Sequence, residues 1–426
     1  MSAGDALAAS GVTIREAGPD DEVAGVAPRW VALPESTGEM AAVMRVAAEH
    51  DLAVLPVGAG TKVHWGSAPE RCDLLLDTCC LNQILEHVAG DLVVRVQAGV
   101  TAEALADSLG KAGQQLALDV PVEGATVGGT LATATAGPRR LRYGTARDLL
   151  IGITVVLADG TIARSGGKVV KNVAGYDLGK LFTGSLGTLG VIAEATFRLH
   201  PVPASRAWIT ATAPGLGALP DIGAIAGSQL EPSALEIDRP EVHGPVTVSA
   251  LVEGVAADER AKAVGELMGE TALISAEPPA WWGRLPDAGF PLETPGEEFL
   301  LELRVPPGAA VRALASVTRA AEEAGDLTVR VRGAVASCVL HLALPPGTAA
   351  RAAEVFVTAL RSGVAADGGR LVVWTAPPEA ASRLDRWGPV GAATLMRRVK
   401  ERFDPEGRMS PGRLVGGPPP VAGHGA

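Results

Sequence analysis

The chain has 426 residues, 37 of them Lys or Arg and 48 Asp or Glu, for a formal charge of −11. That length exceeds one ordinary core and predicts two or three domains, while 47% hydrophobic and 20% charged residues exclude a disordered chain. The acidic balance also excludes a general nucleic-acid binder, which needs a basic footprint. No run of about 18 or more uncharged apolar residues is present, so no transmembrane segment is expected. The start, Met1 to Gly18, lacks the basic and apolar stretches of a secretory signal, which makes a cytoplasmic location the expectation, with membrane association only through partners. Cys72, Cys79, Cys80 and Cys338 contain no CxxC pair, and the reading is reduced, mostly buried thiols with no metal site.

Val31 to Val57 reads as strand, helix, strand. Ser36 and Glu39 have capping-box spacing, and Met40, Val43, Met44 and Ala47 follow at the spacing of a buried helix face. Ala53 to Val57 is an apolar strand broken by Gly58-Ala-Gly60-Thr-Lys62. Further strands are predicted at Asp73–Asp77 and Leu92–Gln97, and a helix at Thr101–Ala112. Ile151–Leu157 and Thr161–Arg164 flank Asp159-Gly160 as a hairpin, and Val191–Leu199 alternates as a strand. His200-Pro-Val-Pro203 closes this block. Beyond it, helical stretches (256–268, 310–324, 348–361) mix with strand-like ones (246–252, 299–305, 328–332, 339–344, 371–375), an α+β pattern. The Gly/Pro-rich end, 416–426, is expected to be a disordered tail.

The chemistry-bearing segments are rich in glycine. Val57-Gly-Ala-Gly-Thr-Lys62 is a candidate pyrophosphate loop, because glycines let successive backbone N–H groups approach phosphate oxygens and Thr61 adds a hydroxyl. It matches neither a P-loop nor a Rossmann fingerprint, and a tight turn explains it equally. Thr126-Val-Gly128-Gly129-Thr130, with Thr133 after it, avoids large side chains. Either bare amides face a flat ligand there, or a helix start packs closely on a strand. Arg139, Arg140 and Arg142, beside Tyr143 and Gly144, are a solvated cluster or supply one cation to an anionic ligand or a substrate carboxylate. Lys168 to Asp177 and Thr183 to Gly190 complete the set.

In their order and spacing, Gly58–Lys62, Thr126–Thr130, Arg142-Tyr-Gly144 with Asp148, Gly175–Leu178 and Gly184–Ile192 resemble the PCMH-type FAD-binding domain of the vanillyl-alcohol oxidase superfamily. Gly167–Leu178 and the tail Arg402-Phe-Asp-Pro405 with Ser410-Pro-Gly412 look most like the FAD-binding subunits of glycolate oxidase-type complexes. The resemblance implies an α+β fold: a two-subdomain PCMH-type FAD-binding domain (29–203) after an N-terminal extension (1–28), then an α+β cap or substrate-like domain (204–385), and a C-terminal segment (386–415) returning to the FAD domain. It also implies a diphosphate on Gly58–Lys62, with Gly128, Gly129, Thr130, Thr133 and Tyr143 on the flavin side. The Ile192 backbone would lie on the adenine side.

Two departures shape the expected function. Covalent members of the superfamily carry a histidine where Thr61 stands, and His64 reads as a surface turn, so non-covalent FAD is expected. The H-x-x-G-D-G-N-x-H metal motif of the sister subunit is missing, and His341, in an apolar strand pattern, reads as a packed residue. The expectation is therefore an FAD-binding oxidoreductase subunit of a complex that oxidises a small hydroxyacid, with a second flavoprotein and an iron–sulfur subunit as partners. A stand-alone FAD oxidoreductase and a non-catalytic FAD-binding assembly subunit are the alternatives. The sequence names no catalytic base.

Overall fold

Four short strands open the fold, joined by a helix whose apolar face the sequence spells out. The computed structural model describes residues 1–168, 177–286 and 298–415. It divides into two units. The first comprises Met1–Ala136, Thr145–Val202 and the described part of Gly391–Gly417; the second comprises Gly137–Gly144 and the described part of Pro203–Val390. The 169–176 portion of the sequence motif and the Gly/Pro-rich end lie outside the described residues.

In the first unit the small sheet runs Thr13–Glu16, Trp30–Leu33, Leu74–Asp77, Val54–Val57. The last three strands pair in parallel, and the first is an antiparallel edge. Residues 1–28 thus do more than extend the chain: they supply that edge strand, and Leu7 and Val12 join the core. The Thr37–Glu49 helix buries Met40, Val43, Met44 and Ala47 beside Leu74 and Leu76, each larger side chain contributing about 1.5–3 kcal/mol by leaving water. Ser36 caps it by accepting the Glu39 N–H at 3.2 Å, but the Glu39 carboxylate does not return to Ser36 as a capping box would. It accepts the Glu35 N–H at 2.8 Å, one residue further back.

A second sheet of this unit runs Ile84–Val88, Val93–Gln97, Val191–Arg198, Leu150–Val156, Ile162–Gly166, all antiparallel. Alternation along Val191–Leu199 suggested one buried face. In the structure both faces are buried, because this is the central strand of the sheet. Glu194 accepts from Arg95 at 3.0 Å and from Thr154 at 3.1 Å.

The second unit is an eight-stranded sheet: Leu273–Ser275, Arg206–Ala213, Val246–Glu253, Ala234–Arg239, Arg330–Ala334, Val339–Leu344, Phe299–Arg304, Arg370–Thr375. Helices Ala257–Met268, Ala310–Glu323 and Ala350–Ala365 share one core with its apolar residues. Residues of the alternate set include a row of charges in register, Asp238, Arg332, His341, Glu302, on four neighbouring strands. Arg332 donates to Asp238 at 2.7 Å, and the His341 ring lies 3.4 Å from Glu302. Burial alone would raise the Glu302 carboxyl; Arg304 beside it and the hydrogen bond from His341 hold it far below the usual carboxylate range. His341 is therefore buried, as its strand pattern suggested, but as the partner of an ionised carboxylate. Of the thiols, Cys72 and Cys338 are buried, whereas Cys79 is exposed and Cys80 half-buried, so burial holds for only two of the four. No helix among the described residues is long and apolar enough to cross a membrane.

Candidate functional site

The candidate site is a cleft within the first unit, lined by the 55–63 segment, the 126–133 segment, the 186–192 segment and Arg413. Strand Val54–Val57 delivers the chain to its floor, and the loop Gly58–Lys62 turns there, with Gly60 at φ +72°, a region that favours glycine. Among the described residues, no hydrogen bond takes up the backbone N–H of Gly58, Ala59, Gly60, Thr61 or Lys62. Five successive amide donors are thus available in one turn, which is what an anion-binding concavity needs.

The side chain that ends this loop strengthens the case. Lys62 is only 6% exposed, lines the cleft, and has no hydrogen-bond partner for its ammonium among the described residues. Burial pushes it down to about 8, with Glu103 pulling in the opposite direction. An unpaired buried cation is expensive unless a ligand supplies the counter-charge.

The second small-residue segment plays a different part. Thr126 caps the short helix Val127–Thr133. The amide of Val127 donates to Val100 at 2.8 Å, Gly128 to Ala98 at 2.8 Å, Gly129 to the Thr126 hydroxyl at 3.2 Å and Thr130 to the Thr126 carbonyl at 2.8 Å. These amides are therefore not bare. The helix-packing reading is the one the geometry supports, since a Cβ on Gly128 would lie 2.8 Å from the Ala98 methyl. Gly128, Gly129, Ala132 and Thr133 still line the cleft, but as a flat surface and not as an amide nest.

Of the sequence candidates, the structure brings Val57, Gly58, Ala59, Gly60, Thr61, Lys62, Thr126, Gly128, Gly129, Thr133 and Ile192 together around this cleft. Thr130 is buried behind the lining. Arg142, Tyr143 and Gly144 are not among the lining residues and fall in the second unit. There the Tyr143 hydroxyl donates to Glu253 at 3.3 Å, and burial raises its pKa. His64 sits half-buried in the turn after the loop.

Sequence reasoning missed Thr78, Ala98 and Arg413, while Gly187 lies in the 183–190 segment it had singled out. Arg413 comes from the far end of the chain, is 5% exposed, and donates to the carbonyls of Val63 and Trp65, both at 2.6 Å. It thereby fixes the turn that follows the loop. The Ser-Pro-Gly signal at 410–412 marked the tail as special but gave no indication of its target. Replacing Arg413 with Met removes two charge-assisted hydrogen bonds. The expected result is a lower melting temperature and an affinity for the cleft's ligand reduced about tenfold or more, read by ligand titration.

A glycine turn whose amides are unpaired among the described residues, a buried cation and a flat small-residue wall suit an anion-bearing ligand. Residues 28–166 match a family model described as FAD binding domain, FAD_binding_4. Over this stretch the chain is similar to PCMH-type FAD-binding domains. It is 36% identical over 216 residues to glycolate oxidase subunit GlcD of Bacillus subtilis (strain 168), covering 50% of this chain and 46% of that protein. It is 40% identical over 175 residues to the mitochondrial D-2-hydroxyglutarate dehydrogenase of Bos taurus, covering 40% and 32%. The chain thus spans less than half the length of these relatives. An uncharacterized FAD-linked oxidoreductase of Mycobacterium tuberculosis aligns at 27% identity over 93% of both chains. Among solved structures, p-cresol methylhydroxylase with substrate bound superimposes with a TM-score of 0.71 at 18% identity, covering 93% of this chain and 91% of that one, which is a likeness of fold.

Proposed function

We propose that this chain is an FAD-dependent oxidoreductase that holds FAD non-covalently and serves as the FAD-binding subunit of a complex oxidising a 2-hydroxyacid. The observation that carries the reading is the loop Gly58–Lys62, whose five unpaired amides and buried unpaired ammonium suit a diphosphate. The matched family and the two relatives named for hydroxyacid chemistry support the substrate class. Non-covalent attachment is supported by the lining itself, in which no described residue is His or Cys.

In this reading the flavin supplies the two-electron chemistry, and the chain supplies binding and orientation. The 58–62 amides and Lys62 hold the diphosphate, and the Gly128–Gly129 surface gives the extended cofactor a wall without side chains. Arg413 keeps the turn closed by holding Val63 and Trp65. The second unit serves as the substrate or cap domain. Electrons then pass to a second flavoprotein and an iron–sulfur subunit.

Purified protein reconstituted with FAD is expected to be yellow, and to release all of its flavin on acid precipitation. Flavin remaining with the precipitate would refute non-covalent attachment, and failure to take up FAD would refute the whole proposal. Affinity purification from the native host is expected to recover the two partner subunits. Anaerobic bleaching by glycolate, D-lactate or D-2-hydroxyglutarate with the chain alone would instead favour a stand-alone oxidoreductase. A partnered complex whose flavin in this chain never bleaches would favour a structural cofactor.

A further inference from the structure

We infer that Lys62 is the ionising counter-charge of the bound cofactor's diphosphate, and that the protein therefore takes up a proton when it binds FAD at alkaline pH. The inference rests on the FAD-binding reading above and adds to it a pH-dependent affinity set by one side chain. Three observations meet at this residue. Lys62 is 6% exposed and lines the cleft. Its ammonium has no hydrogen-bond partner among the described residues. It ends the loop whose five consecutive amides also lack partners among the described residues.

A structural lysine would be arranged differently. Lys400, a mostly buried lysine of the same unit, shows the contrast: its ammonium donates to Asp404 and to the carbonyls of Thr188 and Met409 at 2.8 Å. The charged groups around Lys62 do not satisfy it. Glu103 favours its charged form but accepts the Gly124 N–H at 3.0 Å, and the Arg413 guanidinium is spent on the carbonyls of Val63 and Trp65. The folded, cofactor-free chain therefore carries a cation that no described residue of the cleft pairs with.

The direction of the pH effect follows. Burial brings the Lys62 ammonium from 10.5 down to about 8 in the folded chain. Between those values the unfolded chain binds more protons than the folded one, so cofactor-free stability gains from this site as pH rises through that window. A diphosphate beside Lys62 restores the proton. FAD affinity is then full below pH 8 and falls above it, by about tenfold between pH 7 and pH 9 for one coupled proton.

The test is a titration of the cofactor-free full chain with FAD, followed by flavin fluorescence at pH 7 and pH 9, with riboflavin as the probe lacking a diphosphate. Wild type should bind FAD about tenfold more weakly at pH 9, and riboflavin equally at both. Lys62→Met should bind FAD weakly and without pH dependence, while melting above wild type at pH 7 in cofactor-free form because a buried charge is gone. Lys62→Arg, which keeps its proton at both pH values, should lose the pH dependence and retain more affinity than Lys62→Met. A wild-type FAD affinity that is the same at both pH values overturns the inference and leaves FAD binding standing. So does a slope that persists in Lys62→Met or is matched by riboflavin. A wild type that binds no FAD at pH 7 overturns the functional reading itself.

Discussion

Asp404→Ala is expected to destabilise the protein by about 3–5 kcal/mol, read as a fall in the urea midpoint and melting temperature, because it strands a mostly buried cation. The Asp404 side chain has no exposed surface and faces the Lys400 ammonium. It also accepts the N–H of Arg408 at 3.0 Å and of Met409 at 2.7 Å. Burial lowers the Lys400 pKa and Asp404 partly restores it, so without the carboxylate the remaining ammonium faces only carbonyl oxygens. The damage reaches the site through the backbone. Val54 donates to the Arg408 carbonyl at 2.9 Å and accepts from Ser410 at 2.9 Å, and the strand it begins leads directly into Gly58–Lys62. FAD affinity is thus expected to fall with stability. A double variant, Asp404→Ala with Lys400→Met, removes both charges and should recover a large part of the loss. A single variant that unfolds like wild type would show that the tail's ion pair holds nothing in place.

The second large effect is expected from one methyl group. Gly58→Ala would set its Cβ 2.3 Å from the Thr126 hydroxyl oxygen and 3.2 Å from its methyl. Thr126 cannot simply swing away, since that hydroxyl caps the Val127–Thr133 helix by accepting the Gly129 N–H. Either the loop lifts or the cap breaks, at a cost of about 1–3 kcal/mol, and both outcomes distort the cleft. FAD affinity is expected to drop roughly 10- to 100-fold. Adding Thr126→Ala clears the oxygen at the cost of the cap, and should restore affinity over Gly58→Ala alone. Gly60→Ala is the milder comparison: a Cβ there meets nothing within 4 Å, so only the left-handed backbone at φ +72° opposes it, by about 1–2 kcal/mol. Equal losses at both positions would mean that the close approach to Thr126 is not what makes Gly58 necessary.

The helix from Thr37, the strand into Val57 and the hairpin at Asp159-Gly160 were legible in the chain because periodicity and turn chemistry are local. The loop Gly58–Lys62 was legible as a break after the strand, but its residues left a tight turn and a pyrophosphate loop equally open. Strand Arg206–Ala213 was not foreseen: it follows the Pro201–Pro203 boundary directly, and its alanines dilute the strand signal of Trp208, Ile209, Thr210 and Thr212. At Thr126–Thr130 the residues allowed two readings, a nest for a ligand or a tightly packed helix start. Only the positions of Ala98 and Val100 decided between them, by taking the amides that a ligand would have needed.

The amino-acid sequence alone determined that this protein has a glycine-lined cofactor domain, an α+β region after it, and a distinctive Phe-Asp-Pro tail. The tertiary structure alone decided which donors are free. Arg413 and Lys62 are both buried cations at one loop, yet the first is occupied by backbone carbonyls and the second is not. Nothing local distinguishes them, because whether a buried charge has a partner depends on what distant segments fold against it.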